Sequence, residues 1–242
     1  MVIPILILGN IGKLSQGLKK LDKINKNSSF FKKNNHKFAK IVKVSTFSPT
    51  LRKDCKINFE KEIRYYRNLI LQLNDNDHLI FISSQTLELT NYSFYSKAKK
   101  TIEELIKANL ENFTIIRPGM IFDDENKSYL LENMNQASKN FFSFHKDIPK
   151  TSICTIKDIY ELIKYIKQNL NYTNGKTINL GLRKYRFFDL QEKFSKKKRF
   201  NIMPFFFLKI ISSFNSRLAA YVNGKAISES PSLGWESSFD FL

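Results

Sequence analysis

The feature that most constrains the fold is an alternation of short apolar runs with stretches in which apolar residues recur every three or four positions. Residues 2–8 form a first apolar run, and residues 40–44 and 78–82 form two more. Between the last two, residues 59–73 carry apolar side chains at helical spacing. Alternating strands and helices are typical of a parallel sheet covered by helices. The sequence therefore predicts an α/β fold with a doubly wound parallel sheet.

Composition narrows the class of protein. A chain of 242 residues is long enough for one good core and a smaller subdomain. The formal net charge of +18 comes mostly from lysine spread along the chain, whereas arginine, the better ligand for phosphate and base edges, is scarce. We therefore interpret the charge as largely a compositional bias, together with attraction to anionic ligands, and do not favour nucleic acid. Cys55 and Cys154 lack metal-ligand spacing and fit a reducing cytoplasm, so we predict no metal site.

Reactive side chains occur where the predicted strands end. Ser84 closes the apolar run that begins at residue 78, Tyr95 and Lys99 open the following helix, and residues 114–119 form the next strand. A tyrosine four residues before a lysine occurs at four places in the chain, so the spacing alone is uninformative. Only Tyr95 and Lys99 stand between two such strands, at the edge where open α/β sheets bind ligands.

A glycine turn follows the first predicted strand. Gly9 permits a tight turn, Gly12 lets the backbone approach a pyrophosphate, and the small residue Ser15 follows at the start of a predicted helix. Strand, glycine turn and helix N-terminus together form an arrangement that binds phosphate. A pair of glycines is a weak signal by itself, and its place at the start of the chain strengthens it.

Taken together, these segments resemble the extended short-chain dehydrogenase/reductase superfamily, in an atypical and shortened form. The resemblance is greatest to its nucleotide-sugar epimerases, dehydratases and reductases. The matching segments, in chain order, are Gly9 and Gly12, residues 81–84, Tyr95 and Lys99, residues 115–119, residues 155–158, residues 178–181 and residues 233–235. They extend over most of the chain, and the block from 81 to 119 is the most specific of them.

The resemblance implies a domain organisation and a set of site residues. Residues 1–122 would form a Rossmann-like dinucleotide-binding core, and residues 123–242 a small C-terminal substrate subdomain, from which about 151–181 return to the core. The implied catalytic residues are Ser84, Tyr95 and Lys99. The implied cofactor-binding residues are Gly9, Gly12, Lys32, Ser45, Thr46, Arg117, Pro118 and Gly119. The implied function is an NAD(P)-dependent oxidoreductase or epimerase acting on an anionic nucleotide-linked sugar, with surface polysaccharide synthesis as its setting.

The chemistry of this superfamily explains the choice of residues. A free tyrosine has a pKa near 10, so a tyrosine that acts as a base at neutral pH needs a neighbouring positive charge. Lys99 lies one helical turn beyond Tyr95 and would supply it. Ser84 would hold the substrate oxygen beside the phenol, and the cofactor would exchange the hydride.

Two departures from the superfamily pattern are visible in the sequence. The stretch between Gly12 and residue 40 is too short for two strand–helix units, so one unit is reduced or missing. No acidic residue stands where the superfamily often binds the adenosine ribose, and Lys32 and Lys33 occupy that neighbourhood instead. A lysine there suits a 2′-phosphate, which favours NADP over NAD.

Alternatives of other classes stay open. The shortened core and Ser15 also fit a catalytically degenerate member that binds a dinucleotide or a protein partner. Basic residues 196–199 precede apolar residues 203–211, a pattern that also fits a helix lying on a membrane surface, at the inner face of the cell membrane. A basic protein associated with membrane or nucleic acid is therefore the third interpretation, and a homodimer is compatible with each of the three.

Overall fold

The structure is a computed structural model. It describes residues 5–8, 14, 16–18, 41–51, 53–87, 93–122, 142–143, 150–186, 189–190, 201–202, 206–207, 210 and 233–238. The predicted cofactor-binding residues Gly9, Gly12 and Lys32 lie outside these residues, as do basic residues 196–199. Nearly all of 123–149 is also outside them, so the division of the chain at residue 122 stays a prediction.

Eleven strands are present in the described part of the chain. In chain order they are β1 (Ile5–Leu8), β2 (Ile41–Ser45), β3 (Asp77–Ile82), β4 (Phe113–Pro118), β5 (Met120–Phe122), β6 (Phe142–Ser143), β7 (Lys150–Thr155), β8 (Thr177–Leu180), β9 (Lys184–Arg186), β10 (Asn201–Ile202) and β11 (Leu233–Trp235). The main sheet has the order β1-β2-β3-β4-β8-β11, with every neighbouring pair parallel. A smaller sheet joins β5, β7 and β9, and β6 pairs with β10.

Helices connect these strands. The longer ones are α1 (Lys56–Leu71), α2 (Phe94–Asn109) and α3 (Ile156–Gln168), and a short α4 (Leu170–Thr173) follows α3. Residues 14 and 16–18 are helical, and Pro49–Leu51 form a 3-10 turn. None of the helices in the described ranges combines the length and apolar character needed to cross a membrane.

Alternate side chains of the strands face two separate cores. In β3, Leu79 and Phe81 pack with α1 and α2, whereas Ile80 and Ile82 pack with α3 and with Leu18 of the first helical segment. This division follows from the pleat, because successive side chains of a strand point to opposite faces. Both faces are apolar, which explains why β3 reads as a continuous hydrophobic run. The predicted doubly wound parallel sheet is confirmed.

The helices that connect the strands lie on both faces of the main sheet. Helices α1 and α2 join β2 to β3 and β3 to β4 across one face, and α3 lies on the other face before β8. The order β2, β3, β4, β8 advances in one direction across the sheet. The helix before β8 therefore lies on the opposite face of the main sheet from the two helices before it.

Close backbone contacts tie the smaller sheet to the main one. Gly181 has a φ of +85°, and a Cβ there would lie 2.6 Å from the carbonyl oxygen of Ile153. A Cβ on Gly119 would lie 2.6 Å from the carbonyl oxygen of Ser152. Gln85 joins the same region, because its amide nitrogen donates to the carbonyl of Leu180 at 2.9 Å and its amide oxygen accepts from the Ser152 hydroxyl. Only glycine permits this proximity at residues 119 and 181.

Helix α3 begins with a capping box that also anchors the last strand. The Thr155 hydroxyl accepts from the Asp158 N–H, and the Asp158 carboxylate accepts from the Thr155 N–H. The same carboxylate accepts hydrogen bonds from the hydroxyls of Ser237 and Ser238 and from the Ser238 N–H at 3.0 Å. The residues after β11 are thereby held against the start of α3.

Stability at acid pH is expected to depend on Asp158. Burial raises the pKa of its carboxyl group, but the hydrogen bonds from Ser237, Ser238 and Thr155 outweigh burial and lower the pKa below its usual value. The contribution to stability is therefore complete above about pH 4 and is lost as the pH falls through the lowered pKa. Unfolding by urea at a series of pH values below 5 should show a smaller loss of stability for Asp158→Asn than for the wild type. Equal slopes for the two proteins would contradict this.

Candidate active site

Parallel strands bring their carboxyl ends to one edge of the main sheet, and the residues that follow them form the candidate active site. Ser45 and Thr46 lie at the end of β2, Ser84 lies after β3, and Pro118 and Gly119 lie at the end of β4. Because α2 follows β3, its first turn starts at this same edge. The structure therefore gathers Ser84, Tyr95 and the predicted cofactor-binding residues of β2 and β4 along one edge.

Lys99 is buried between α1 and the main sheet. Its side chain is 3% exposed, and its Nζ lies 3.2 Å from Oε1 of Glu62, which is fully buried. The same Nζ donates to the carbonyl oxygen of Ile82 at 3.3 Å, at the end of β3. It lies 5.0 Å from the ring centre of Phe81 and 5.6 Å from that of Tyr95. The ion pair with Glu62 and the hydrogen bond to the Ile82 carbonyl thus fix the ammonium 5.6 Å from the centre of the Tyr95 ring.

Glu62 is held by a second set of donors. Its Oε2 accepts from the Thr50 hydroxyl at 2.5 Å, the Ser48 hydroxyl at 3.1 Å and the Thr50 N–H at 3.4 Å. These donors come from the 3-10 turn that precedes α1. They leave Oε1 directed at Lys99, and this oxygen has no hydrogen-bond partner among the described residues. A buried charge without such compensation costs several kcal/mol, which explains why every polar neighbour converges on this carboxylate.

Tyr95 is half-buried in the first turn of α2. Its N–H donates to Oδ1 of Asp54 at 2.8 Å, and the Ser93 hydroxyl accepts from the N–H of Ser96 at 3.4 Å. Both contacts satisfy backbone donors that a helix N-terminus leaves free. Asp54 precedes α1 and therefore fixes the start of α2 relative to α1.

Other tyrosine–lysine pairs show that this spacing brings a lysine close to a tyrosine ring elsewhere in the chain. Lys164 lies 5.4 Å from the ring centre of Tyr160, and Lys176 lies 3.6 Å from that of Tyr172. Lys164 is nearly half exposed, and Tyr172 lies in α4 at the amino end of β8. Tyr95 and Lys99 differ from these pairs in two ways, because the lysine is buried and the tyrosine is at the carboxyl edge of the sheet.

Ser84 belongs to a chain of hydroxyl groups that leads to α2. Its Oγ lies 2.9 Å from Oγ1 of Thr86 and accepts from the Thr86 N–H at 3.2 Å. The Ser96 hydroxyl donates to the same Thr86 Oγ1 at 3.3 Å. Ser84 is thereby linked through Thr86 to the residue that follows Tyr95, and the turn after β3 holds the hydroxyl in place.

Ser45 and Thr46 are committed to contacts within the fold. The Ser45 hydroxyl is fully buried and donates to Tyr66 at 2.9 Å, and the Tyr66 hydroxyl donates to the carbonyl of Phe47 at 3.0 Å. Burial raises the pKa of Tyr66 well above its usual value, so this phenol stays neutral. The Thr46 hydroxyl and N–H both donate to the carbonyl of Leu8 at 3.1 Å, which ties the ends of β1 and β2 together.

Arg117 forms a buried two-pronged ion pair with α2. Its Nε lies 2.9 Å from Oε1 of Glu103, and one terminal nitrogen lies 2.7 Å from Oε2. Glu103 also accepts from the Ser83 hydroxyl at 2.6 Å and lies 3.7 Å from Nζ of Lys107. Both members of the pair are less than 9% exposed. Arg117 therefore joins β4, α2 and the residue before Ser84, in the geometry that guanidinium and carboxylate prefer.

Pro118 and Gly119 end β4 in contact with the next strands. The carbonyl of Pro118 accepts from the N–H of Gln85 at 3.2 Å, and the N–H of Gly119 donates to Leu180 at 3.0 Å. Gly119 is half-buried, and its backbone is part of the surface of this edge. The roles assigned to these two residues, and to Ser45, Thr46 and Arg117, stay predictions.

Two acidic residues of this region, Glu62 and Glu103, did not emerge from the sequence patterns. Glu62 lies on the apolar stripe of α1, four residues before Tyr66, and Glu103 lies four residues beyond Lys99 on α2. A carboxylate on the buried face of a helix is the signal that would have found both, because charged residues are seldom buried unless they are paired. Their partners are distant in sequence and cannot be identified from it.

Comparison with known proteins defines the class of fold. No protein-family model and no curated protein sequence matches the chain. Solved structures do match, and they include several enzymes of nucleotide sugars. The chain therefore shares the Rossmann-like parallel-sheet fold of these enzymes, which is the fold class that the sequence predicted.

Three bacterial enzymes are among the matching structures, and two of them match more than nine tenths of this chain. A dTDP-4-dehydrorhamnose reductase from Clostridium acetobutylicum is 14% identical with a TM-score of 0.60, and the match covers 91% of this chain and 99% of that one. The dTDP-glucose 4,6-dehydratase of Bacillus anthracis, in complex with NAD, is 11% identical with a TM-score of 0.60 over 99% and 93%. The dTDP-4-dehydrorhamnose reductase of Bacillus anthracis, in complex with NADP, is 14% identical with a TM-score of 0.58 over 80% of each chain.

Proposed function

We propose that this protein is an NAD(P)-dependent oxidoreductase or epimerase that acts on a nucleotide-linked sugar. The observation that carries the proposal is the placement of Ser84, Tyr95 and Lys99 at the carboxyl edge of the parallel sheet. There the ammonium of Lys99 lies 5.6 Å from the tyrosine ring. Structures that share this fold include enzymes of nucleotide sugars, two of them in complex with NAD or NADP. Open α/β sheets bind their ligands at this edge.

In this proposal the side chains move a proton and hold the substrate. The Tyr95 hydroxyl exchanges a proton with the oxygen of the reacting carbon, and the Ser84 hydroxyl donates a hydrogen bond to that oxygen. Lys99 favours the ionised form of the phenol and presents a donor toward the cofactor side of the edge. A bound nicotinamide dinucleotide supplies the acceptor or donor of hydride.

The donors at the edge fit an anionic dinucleotide. The Lys99 ammonium lies 3.2 Å from Oε1 of Glu62 and donates a hydrogen bond to the Ile82 carbonyl at 3.3 Å. In this proposal it also donates to a hydroxyl of the ligand. The glycine turn of Gly9 and Gly12 supports the pyrophosphate in this proposal, and Lys32 favours NADP over NAD.

Binding of reduced dinucleotide tests the proposal directly. Titration of the protein with NADPH and with NADH, followed by nicotinamide fluorescence, should give saturable binding that is tighter for NADPH. Lys32→Ala should reduce that preference about tenfold or less, since one exposed phosphate contact is worth roughly 1 kcal/mol. A protein that binds neither dinucleotide at low salt would contradict the proposal.

The ion pair of Lys99 favours a second function. The Glu62 carboxylate cancels part of the charge that Lys99 presents to Tyr95, which is what a member that binds dinucleotide without turnover would tolerate. Such a protein binds NADPH and leaves every nucleotide sugar unchanged. The Tyr95→Phe variant of such a protein binds NADPH as tightly as the wild type does. If the wild type turns over any nucleoside diphosphate sugar and Tyr95→Phe does not, the result supports the first function, the NAD(P)-dependent enzyme.

A further inference from the structure

The charged group beside the Tyr95 ring is an ion pair with no net charge, and not an isolated ammonium. The side chains of Lys99 and Glu62 are 3% and 0% exposed, so water screens neither charge. Their charged atoms are 3.2 Å apart. At that distance and burial the pair acts on its surroundings as a dipole, whose field falls off faster than that of either charge alone.

Glu62 cannot turn away from this pair without breaking other contacts. Its second oxygen is held by Thr50 and Ser48, in the turn that leads into α1. The Thr50 and Glu62 side chains are buried, and the Ser48 side chain is half-buried. The carboxylate is therefore oriented by the fold, and it orients Lys99 in turn.

Few other titratable groups face Tyr95 in the described part of the chain. Lys99 of α2 lies 5.6 Å from the ring centre, Asp54 before α1 accepts from the backbone N–H, and Tyr66 of α1 interacts electrostatically with Tyr95. Glu62 of α1 is joined to Tyr95 through Lys99, at 3.2 Å from its Nζ. The Tyr66 phenol stays neutral because burial raises its pKa well above the usual value. Asp54 is bound to the backbone of Tyr95 and not to its ring. The balance between Lys99 and Glu62 therefore sets the field at the phenol.

We propose that Glu62 is a positioning residue of this site, which holds Lys99 against the end of β3 and offsets the charge that Lys99 presents to Tyr95. The inference rests on the proposed function, because the ionisation of Tyr95 matters for the proton transfer assigned to it. It adds that the charge presented to the Tyr95 ring comes jointly from a lysine on its own helix and a carboxylate on the neighbouring helix. A unit charge within about 8 Å in such surroundings changes an ionisation equilibrium by roughly tenfold or more.

Alkaline titration of the full chain without dinucleotide tests this directly. The phenolate absorbance of the wild type minus that of Tyr95→Phe isolates the ionisation of Tyr95. The same difference is measured in the Glu62→Gln background, where the amide keeps the size of the side chain and an oxygen acceptor for Lys99. We expect the midpoint of Tyr95 to fall by about one pH unit, since the ammonium is no longer offset. A midpoint that stays or rises overturns the inference.

A double variant keeps the test readable if Glu62→Gln does not fold. Replacing a buried ion pair by neutral residues is often tolerated, so Glu62→Gln with Lys99→Met is the variant expected to fold. Because both charges are removed together, the Tyr95 midpoint should stay within a few tenths of a pH unit of the wild type. A rise of one unit or more would show that Lys99 acts as an isolated charge, and that result overturns the inference.

Asp77 provides a matched control at the opposite edge of the sheet. It is also a buried carboxylate paired with a lysine, since its Oδ2 lies 2.7 Å from Nζ of Lys43. Asp77→Asn should leave the Tyr95 midpoint unchanged. An equal fall of the midpoint in Asp77→Asn and Glu62→Gln would overturn the inference, because it would show that loss of any buried ion pair disturbs the whole fold. The titration needs no dinucleotide, so failure to bind NADPH contradicts the proposed function alone. Where turnover is measurable, the acid limb of its pH profile should move down with the Glu62→Gln midpoint.

Discussion

Tyr95→Phe is expected to lower turnover of a nucleoside diphosphate sugar by about 10²–10⁴-fold, the usual contribution of a positioned proton donor or acceptor. Removing one hydroxyl from a half-buried side chain leaves the ring and the backbone contact with Asp54 in place. Dinucleotide binding should therefore be nearly unchanged. The measurement is the rate of nicotinamide oxidation with a panel of nucleotide sugars, beside fluorescence titration of NADPH.

Tyr172→Phe is the matched control for this experiment. Tyr172 also precedes a lysine by four residues, and Lys176 lies 3.6 Å from its ring centre, but the pair is outside the candidate active site. Its turnover should equal that of the wild type. A Tyr95→Phe protein that retains most of the activity would assign the proton transfer to another group and would remove the main support for the proposed chemistry.

The second large effect, a loss of stability, is expected when Arg117 is replaced. Replacing it by methionine leaves the Glu103 carboxylate buried, with the Ser83 hydroxyl at 2.6 Å and the ammonium of Lys107 at 3.7 Å as its remaining partners. Breaking a buried ion pair by removing one member typically costs about 3–5 kcal/mol. The free energy of unfolding, measured with urea, should fall by that amount.

Two companion variants separate the ion pair from a general packing defect. The double variant Arg117→Met with Glu103→Gln removes the stranded charge and should recover much of the lost stability. Lys107→Met removes a charge that is 46% exposed, and its effect should be below about 1 kcal/mol. If Arg117→Met costs no more than Lys107→Met, the buried fork does not stabilise the fold as described.

The elements that could be predicted from the sequence are those with strong local patterns. The apolar run of residues 78–82 is β3, and the apolar side chains that recur between residues 59 and 73 lie in α1 and just beyond it. The start of α3 falls in residues 155–158, one of the segments that carried the resemblance, and Thr155 and Asp158 form a capping box there. Each of these depends on neighbours within a few residues, which a sequence shows directly.

The gathering of Ser84, Tyr95 and Lys99 at one edge was also predictable. In a parallel sheet every strand ends at the same edge, so residues that follow successive strands must meet there. Alternation of strands and helices was enough to infer this placement without knowing which strands pair. The resemblance to one superfamily of enzymes came from the same segments, and structural comparison agrees with it at the level of the fold.

The electrostatic state of the site depends on tertiary structure. Glu62 is 37 residues before Lys99, on another helix. Its position on the apolar stripe of α1 indicates burial but does not identify Lys99 as its partner. Likewise, Arg117 followed a strand-end pattern, and only the packing of α2 against the sheet brought it to Glu103. The sequence by itself determined which elements form and at which edge they converge, because both follow from local periodicity. Tertiary packing alone decided which charges are paired, because ion pairing depends on distances between segments that local patterns do not encode.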